Sequence, residues 1–196
     1  MGDIGKFERK LPEDRRRALI AATLACLARE GHAGLSIRKI SREAGISIGL
    51  INHHYESKDD LVAAAYETLS LGLLDKVRAR IELIGPDPHD RLNAYIRGIL
   101  TGPTLDRSML RTWVVFWSML DHSAKIADVH DRTYREYRAL LEGMFSEMSC
   151  AGARPTINAR LAAIALTAMI DGLWLEWCLN PTTFSPAEAV ALCENW

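Results

Sequence analysis

Helix start and stop signals recur along the chain and constrain its fold more than any other feature of the sequence. Ser, Asp or Pro opens most apolar-periodic segments, and Gly or Gly-Pro closes several of them. We find no convincing alternating strand segment and no Asn-Gly or Asp-Gly hairpin signal. The pattern predicts an all-α chain of about nine helices. With their caps they lie near residues 12–30, 36–44, 47–54, 57–84, 87–101, 105–121, 124–149, 156–179 and 185–195.

Size and composition are typical of an ordinary soluble protein. The chain has 196 residues, of which 48% are apolar and 25% charged, enough for one domain or a small module joined to a larger one. The longest nearly unbroken apolar stretch, Leu161 to Ile170, is about half of a bilayer span, and the first twenty residues are charged. The four cysteines have neither metal-ligand nor disulfide-framework spacing. We therefore expect a cytoplasmic protein without metal or cofactor.

Charge is distributed unevenly between the two ends of the chain. Residues 6–42 contain ten Lys and Arg against four acids, whereas residues 61–196 contain thirteen basic and sixteen acidic residues. A positive end on a weakly acidic protein would bind phosphates through counterion release while the remainder stays soluble. The alternative is a solvated charged face, which is common in proteins of any function.

Residues 36–54 have the spacing of a helix-turn-helix: a short helix, a turn at Gly45-Ile46 and a second short helix. The major groove of B-DNA admits one α-helix, so the second helix could read base edges while the first crosses the sugar-phosphate backbone. Inward positions are predicted at Ile37, Ile40, Ala44, Ile46 and Ile51. Outward positions are predicted at Arg38, Lys39, Arg42, Ser47, Ile48, Asn52, His53 and Lys58. Without the basic flank, the same pattern would fit a purely structural αα corner.

The segments LSIRKISREAGIS (35–47) and HHYESKDDL (53–61) resemble the N-terminal domain of TetR-family transcriptional regulators. The resemblance implies that Ser36, Ser47, His53 and Lys58 contact the DNA backbone. It also implies that Ile48 and Gly49 lie at base-reading positions. The chain departs from the family pattern at Leu50 and Asn52, where a small hydroxyl residue and a tyrosine are usual.

Within that family, the segments GLI (49–51), RTWVVFW (111–117) and MIDGLWL (169–175) resemble the BetI-type branch. The branch is named for a choline-responsive repressor of glycine betaine synthesis genes. The resemblance spans most of the chain, but many members of the branch have other effectors. It implies a homodimer whose interface is a four-helix arrangement that includes the last helix, 186–195.

Two tryptophan clusters provide candidate effector-binding residues. Trp113, Phe116 and Trp117 share one helix face, and Trp174 and Trp177 share another. If the faces meet around a cavity, their rings would attract a quaternary ammonium group by about 0.5–2 kcal/mol per ring. The predicted ligand-binding set is Trp113, Phe116, Trp117, Tyr137, Asp171, Trp174 and Trp177, with Glu176 as a second candidate counter-charge. The alternative is that the tryptophans are simply core residues and Asp171 lies at a helix crossing beside Gly172.

These observations favour a homodimeric, ligand-responsive repressor that binds a pseudo-palindromic DNA operator. Residues 1–56 would bind DNA, and residues 57–196 would dimerise and bind a small effector such as choline. Reading helices about 34–36 Å apart would enter successive major grooves. A regulator that senses an unrelated molecule, or one that activates transcription, remains an alternative. A helical carrier or enzyme is disfavoured because the sequence offers no metal-spaced cluster, phosphate-binding glycine loop or nucleophile–base pair.

Overall fold

The computed structural model describes residues 12–150 and 158–196, and within them it contains nine α-helices and no strand. The all-α prediction is confirmed. The helices are α1 (Pro12–Glu30), α2 (Ile37–Ala44), α3 (Ile48–His54), α4 (Lys58–Glu82), α5 (Pro88–Leu100), α6 (Arg107–Trp117), α7 (Ala124–Cys150), α8 (Ala159–Leu179) and α9 (Pro186–Glu194). One turn of 3₁₀ helix, Gly102–Leu105, precedes α6.

The chain divides into two compact units between Ala65 and Tyr66, a position inside α4. We call them the N-terminal and C-terminal units. The sequence predicted a functional boundary after residue 56, near the start of α4, and that boundary stays a prediction. In the N-terminal unit, Leu19, Ile40 and Ile51 from α1, α2 and α3 are fully buried and form a small common core.

Side-chain caps set the ends of the two short helices α2 and α3. Ser36 accepts a hydrogen bond from the Lys39 backbone N–H, and Ser47 accepts one from Leu50. Gly45 closes α2 in the left-handed conformation, with φ of 64°, which glycine adopts without the steric cost that a Cβ would add. The chain therefore turns sharply enough to bring α3 directly after α2, as the sequence predicts.

In the C-terminal unit, α7 packs against α8 and α5, while α6 and α9 also contact α8. Asn158 caps α8 by accepting from the Leu161 N–H, whereas the predicted cap Thr156 lies outside the described residues. The basic residues Lys6, Arg9 and Lys10 lie outside them as well. The capping box predicted at Ser185 and Glu188 is present at the start of α9.

The helix predicted over 105–121 is shorter in the structure, where α6 covers Arg107–Trp117. At its start, Asp106 accepts from the Met109 N–H and so acts as the cap. At its end, Met119 and Leu120 donate to carbonyls only three residues back, which replaces the α-helix with tighter turns. The prediction was wrong at both ends because apolar periodicity continues through these turns.

One face of α8 is apolar and exposed within the chain. Four residues of this face, Leu161, Ile164, Leu175 and Leu179, are between 39% and 66% exposed. They are separated by three, eleven and four residues, which are close to whole helical turns and keep them on one face. We call these four residues the α8 stripe. By length and composition alone α8 could cross a membrane, and 28% of its most apolar window is buried. A helix that packs against other protein on several sides has the same composition.

Candidate nucleic-acid interface and ligand cavity

The α2–α3 pair presents most of the predicted DNA-contacting residues at its surface. Ile40 and Ile51 are fully buried, and Ile37, Ala44 and Ile46 are half-buried, consistent with their predicted inward positions. Ser36, Lys39 and Lys58 are half-buried, and the remaining predicted residues are exposed, namely Arg38, Arg42, Ser47, Ile48, Gly49, Asn52 and His53. Their roles in DNA binding stay predictions.

The first turn of α3 is unusually open for an apolar segment. Ile48 is 40% exposed, and a Cβ built on Gly49 would meet no atom within 4 Å. A glycine inside a helix costs about 1 kcal/mol relative to alanine, and nothing in this chain requires it there. Of the two departures from the family pattern, Asn52 is exposed and Leu50 is half-buried. The exposed surface of α3 therefore offers an aliphatic side chain, an amide and a bare backbone to a partner.

An ion-pair network links α1 to α2. The Lys39 ammonium pairs with Glu30 and donates to the Gly34 carbonyl at 2.8 Å, while Arg29 bridges Glu30 and Glu43 at 3.1 and 3.2 Å. The hydrogen bond from Lys39 holds the pKa of Glu30 below its ordinary value. In the described part of the chain, the Arg38 and Arg42 side chains have no such partner. These two arginines are therefore better placed than Lys39 to bind phosphates.

In the C-terminal unit, three predicted ligand residues converge on a tyrosine that the sequence analysis did not select. The indole N–H groups of Trp113 and Trp117 each donate to the Tyr134 hydroxyl at 3.2 Å. That hydroxyl donates in turn to Oδ1 of Asp171, also at 3.2 Å. Tyr134 therefore connects α6 to α8 from its position on α7.

A small cavity lies beside this hydrogen-bonded group, and we call it the inner cavity. Its volume is about 20 Å³, room for roughly one water molecule. The Trp113 and Trp174 rings meet there edge to face, with centroids 5.2 Å apart. The Trp174 indole N–H is buried and has no acceptor among the described residues. The lining residues are Leu73, Tyr95, Ile99, Trp113, Tyr134, Tyr137, Thr167, Ile170, Asp171 and Trp174.

A larger, open groove lies next to the inner cavity, and we call it the outer groove. Its volume is about 390 Å³. Its lining residues are Trp117, Leu120, His130, Tyr134, Arg138, Ile164, Thr167, Ala168 and Asp171. Tyr134, Thr167 and Asp171 line both spaces, so these three side chains form the boundary between them.

The electrostatics of this region centre on Asp171. Burial raises the pKa of its carboxyl to about 7, although the hydrogen bond from Tyr134 and the charge of Arg138 oppose the shift. Burial also raises the pKa of Tyr134, so its hydroxyl stays protonated. The pKa of His130 is lowered, mainly by burial, and its ring stacks on Tyr134 with centroids 3.9 Å apart. The site therefore holds one carboxyl group that changes charge near neutral pH.

The structure separates the predicted ligand residues into three groups. Trp113, Tyr137, Asp171 and Trp174 line the inner cavity, and Trp117 lines the outer groove. Phe116 is fully buried and stacks on Tyr66, while the Trp177 ring lies against Phe184. Glu176 is exposed and lines neither space, and Gly172 has no neighbouring atom within 4 Å that would mark a helix crossing within this chain.

Sequence reasoning missed Tyr95 and Tyr134 as lining residues. Tyr134 lies three residues before Tyr137 on α7, so the two share a helix face, and that spacing was the available signal. Tyr95 is on α5, which has no aromatic cluster to single it out. Among residues 12–150 and 158–196, no three or more His, Cys, Asp or Glu side chains are grouped so that they could hold a metal ion.

Comparison with known proteins identifies the family. Residues 19–65 match the family described as bacterial regulatory proteins, tetR family, and residues 88–196 match the BetI-type transcriptional repressor C-terminal domain. The chain belongs to the TetR family. The regulator BetI of Serratia proteamaculans is 32% identical over 183 residues, which cover 93% of this chain and 90% of that protein. The predicted family, its BetI-type branch and the function of a transcriptional regulator are thereby confirmed, as is the expectation that the protein is not an enzyme.

Solved structures agree with this assignment. A protein from Pseudomonas aeruginosa PAO1 described as a transcriptional regulator is 44% identical, with a TM-score of 0.90 over 98% of this chain and 92% of that one. A regulator from Saccharomonospora viridis, solved in complex with choline, is 23% identical, with a TM-score of 0.83 over 93% of this chain and 95% of that one. The second comparison shows the shared fold alone. As in other TetR regulators, an operator DNA and a small-molecule effector are the partners.

Proposed function

We propose that this regulator is a cytoplasmic, homodimeric repressor that releases its operator when a small quaternary ammonium compound binds beside Asp171. The observation that carries the proposal is the inner cavity, where the Trp113 and Trp174 rings meet next to the largely buried carboxyl group of Asp171. Aromatic faces attract a cation by about 0.5–2 kcal/mol each, and a carboxylate supplies the opposite charge. The choline complex of the Saccharomonospora viridis neighbour supports this ligand class.

Ligand binding requires the inner cavity to open. Its volume of about 20 Å³ holds roughly one water molecule, so a trimethylammonium group does not fit without movement of the lining. The Tyr134 hydroxyl donates to Asp171 at 3.2 Å, which is long for an O–H donor, and accepts from the Trp113 indole N–H at 3.2 Å, so both bonds are weak restraints. An effector that binds only the open arrangement shifts the population toward it, which gives a coupling of about 1–3 kcal/mol in typical cases.

The α4 helix contains the boundary between the N-terminal and C-terminal units, and its residues after that boundary contact the cavity lining. Tyr66 on α4 stacks on Phe116 with centroids 4.4 Å apart, and its hydroxyl lies 2.8 Å from Nδ1 of His130. The Ser70 carbonyl, also on α4, accepts a hydrogen bond from the cavity residue Tyr137 at 2.6 Å. Movement of the cavity lining therefore acts on α4, and we propose that α4 changes the separation of the two α3 helices in the dimer.

The proposed dimer buries the α8 stripe against a second copy of the chain, and because Ile164 also lines the outer groove, that groove lies at the edge of the proposed interface. A second exposed apolar surface is an open groove of about 700 Å³ between α8 and α9, and Leu192, 55% exposed, lines it. Gly172, also exposed on α8, has no atom of this chain within 4 Å of an added Cβ. Two such copies would present two α3 helices about 34–36 Å apart to a pseudo-palindromic operator.

The experiment is a fluorescence anisotropy titration of labelled DNA from the region upstream of the regulator's own gene, with and without choline. We expect tight binding that weakens about tenfold or more at saturating choline, which corresponds to the coupling above. A DNA complex that is insensitive to choline would reject the ligand class. Absence of binding to any upstream fragment at low salt would reject the operator site, because phosphate contacts strengthen as salt falls.

A further inference from the structure

The inner cavity and the outer groove are two compartments of one site. Tyr134, Thr167 and Asp171 line both of them, so a shift of the Tyr134 ring would join the two spaces. The outer groove alone, at about 390 Å³, has the size of a small-molecule site. A trimethylammonium group in the inner cavity would leave this groove unfilled, and a ligand that fills both must extend past Tyr134.

The site contains two opposite charges, and the positive one lies in the outer groove only. Asp171 lies at their boundary, and Arg138 lines the outer groove only. Within residues 12–150 and 158–196, Arg138 forms no ion pair, although its charge lowers the pKa of both Asp171 and His130. Burial keeps the His130 pKa below its ordinary value, so that ring is mainly neutral at pH 7. Arg138 is therefore the permanent cation of the outer groove.

We propose that the effector has two charged ends, a quaternary ammonium group that lies against Asp171 and an anionic group that binds Arg138 in the outer groove. This inference rests on the proposed cation site and adds the charge of the ligand's other end. Arginine presents a planar set of N–H donors that matches a carboxylate or phosphate in two-pronged geometry. A ligand with a neutral hydroxyl at that end would leave the Arg138 charge without a partner.

Isothermal titration calorimetry of the full chain with a matched pair of ligands tests the proposal. γ-Butyrobetaine carries a trimethylammonium group and a carboxylate at opposite ends of a short chain, and its methyl ester replaces the carboxylate with a neutral ester group. We expect the carboxylate form to bind about fivefold to tenfold more tightly, which is the range for a charge-assisted hydrogen bond to a half-exposed arginine. Equal or tighter binding of the ester would overturn the proposal.

Two variants test the contact with the ligand's anionic end separately from the contacts in the rest of the site. Arg138→Gln should abolish the preference for the carboxylate over the ester, a ratio in which any common effect of the lost charge on Asp171 cancels. Arg135→Gln removes an exposed charge on the same helix that lines neither compartment, and it should leave the preference intact. If Arg138→Gln weakens both ligands equally, Arg138 supports the fold instead of binding the anion, and the proposal is wrong.

The same calorimetry with choline as a third ligand distinguishes the two proposals from each other. If the ester and choline bind but the carboxylate adds nothing, the cation site stands and the two-ended ligand is wrong. If none of the three ligands binds, the cation site itself is wrong and the two-ended ligand with it.

Discussion

The two units of this regulator place their functional groups in opposite environments. In the N-terminal unit the predicted DNA contacts Arg38, Ile48 and Asn52 are exposed, and the core beneath them is formed by other residues. In the C-terminal unit Trp113 is fully buried and belongs both to the core and to the inner cavity. Function and stability can therefore be changed separately in the N-terminal unit, whereas in the C-terminal unit they are coupled.

The largest expected effect tests this coupling through stability. Trp113→Ala should lower the free energy of unfolding by about 3–5 kcal/mol, because Trp113 is fully buried and packs edge to face on Trp174 at the inner cavity. Ile48→Ala should change it by less than about 0.5 kcal/mol, since Ile48 is 40% exposed. Urea denaturation at a fixed protein concentration measures both. Comparable losses in the two variants would contradict the distinction between the units.

The next effect concerns DNA binding alone. Asn52→Ala should weaken operator binding by about 1–3 kcal/mol per half-site if its exposed amide bonds to a base edge. Arg38→Ala should weaken binding to all sequences. It should also lower the slope of log affinity against log salt by about 1 for each phosphate that the arginine neutralises.

Arg107→Ala provides the control for both variants, because Arg107 is an exposed arginine on α6 in the C-terminal unit. It should leave affinity and salt dependence unchanged in anisotropy titrations over a range of salt. An Arg107→Ala loss equal to that of Arg38→Ala would show that the effect is only one of net charge.

The contrast between the units also explains what the sequence could predict. The helix-turn-helix is determined by residues that are close in sequence. Its caps and its turn are formed within twelve residues, by Ser36, Gly45 and Ser47, so spacing alone locates the exposed positions. The inner cavity draws its lining from five helices, α4 to α8, and no spacing along the chain relates Tyr95 to Trp174. The tryptophan clusters indicated aromatic faces, but which rings meet depends on packing between helices.

The same limit applies to single residues within a correctly predicted helix. Trp177 shares a helix face with Trp174, yet its ring lies against Phe184 while Trp174 lines the inner cavity. Lys39 was predicted to point outward, and its ammonium instead pairs with Glu30 of α1. Periodicity places a Cβ on a face, whereas the partner of a long side chain depends on elements that are distant in sequence.

A third prediction uses the pH dependence of the buried carboxyl group. The pKa of Asp171 is about 7 in the folded protein against an ordinary value of 3.8, so between these two values the folded state holds a proton that the unfolded chain has released. The free energy of unfolding should therefore fall by roughly 2–4 kcal/mol as pH rises through this window and level off above pH of about 7. Asp171→Asn should lack this slope in urea denaturation at several pH values.

Effector binding should show the opposite dependence on pH. A cation favours ionised Asp171, so choline affinity should rise about tenfold from pH of about 6 to about 8, with release of a proton. Burial lowers the pKa of His130, which moves its own charge change toward the acid side of this range. Asp171→Asn should bind choline weakly at both pH values. A wild-type affinity that does not change with pH would mean that Asp171 does not contact the ligand.

The smallest effects come from three glycines that are exposed within α-helices. An added Cβ meets no atom within 4 Å at Gly49 of α3, Gly143 of α7 or Gly172 of α8. On helix propensity alone, alanine at each position should raise the free energy of unfolding of the isolated chain by about 0.5–1 kcal/mol. Because the expected increase in the free energy of unfolding is the same for all three variants, they form a matched set that differs only in the surface around each glycine.

Their functional outcomes should separate the two units. Gly49→Ala should weaken DNA binding without affecting the dimer, because the added methyl group stands where α3 approaches the DNA. Gly172→Ala should weaken the dimer, measured by analytical ultracentrifugation, because it stands on the exposed face of α8. Gly143→Ala should raise the free energy of unfolding and leave both DNA binding and dimerisation unchanged. If all three variants keep full DNA binding and dimerisation, no partner backbone approaches Gly49 or Gly172 closely. Both surfaces would then contact their partners through side chains alone.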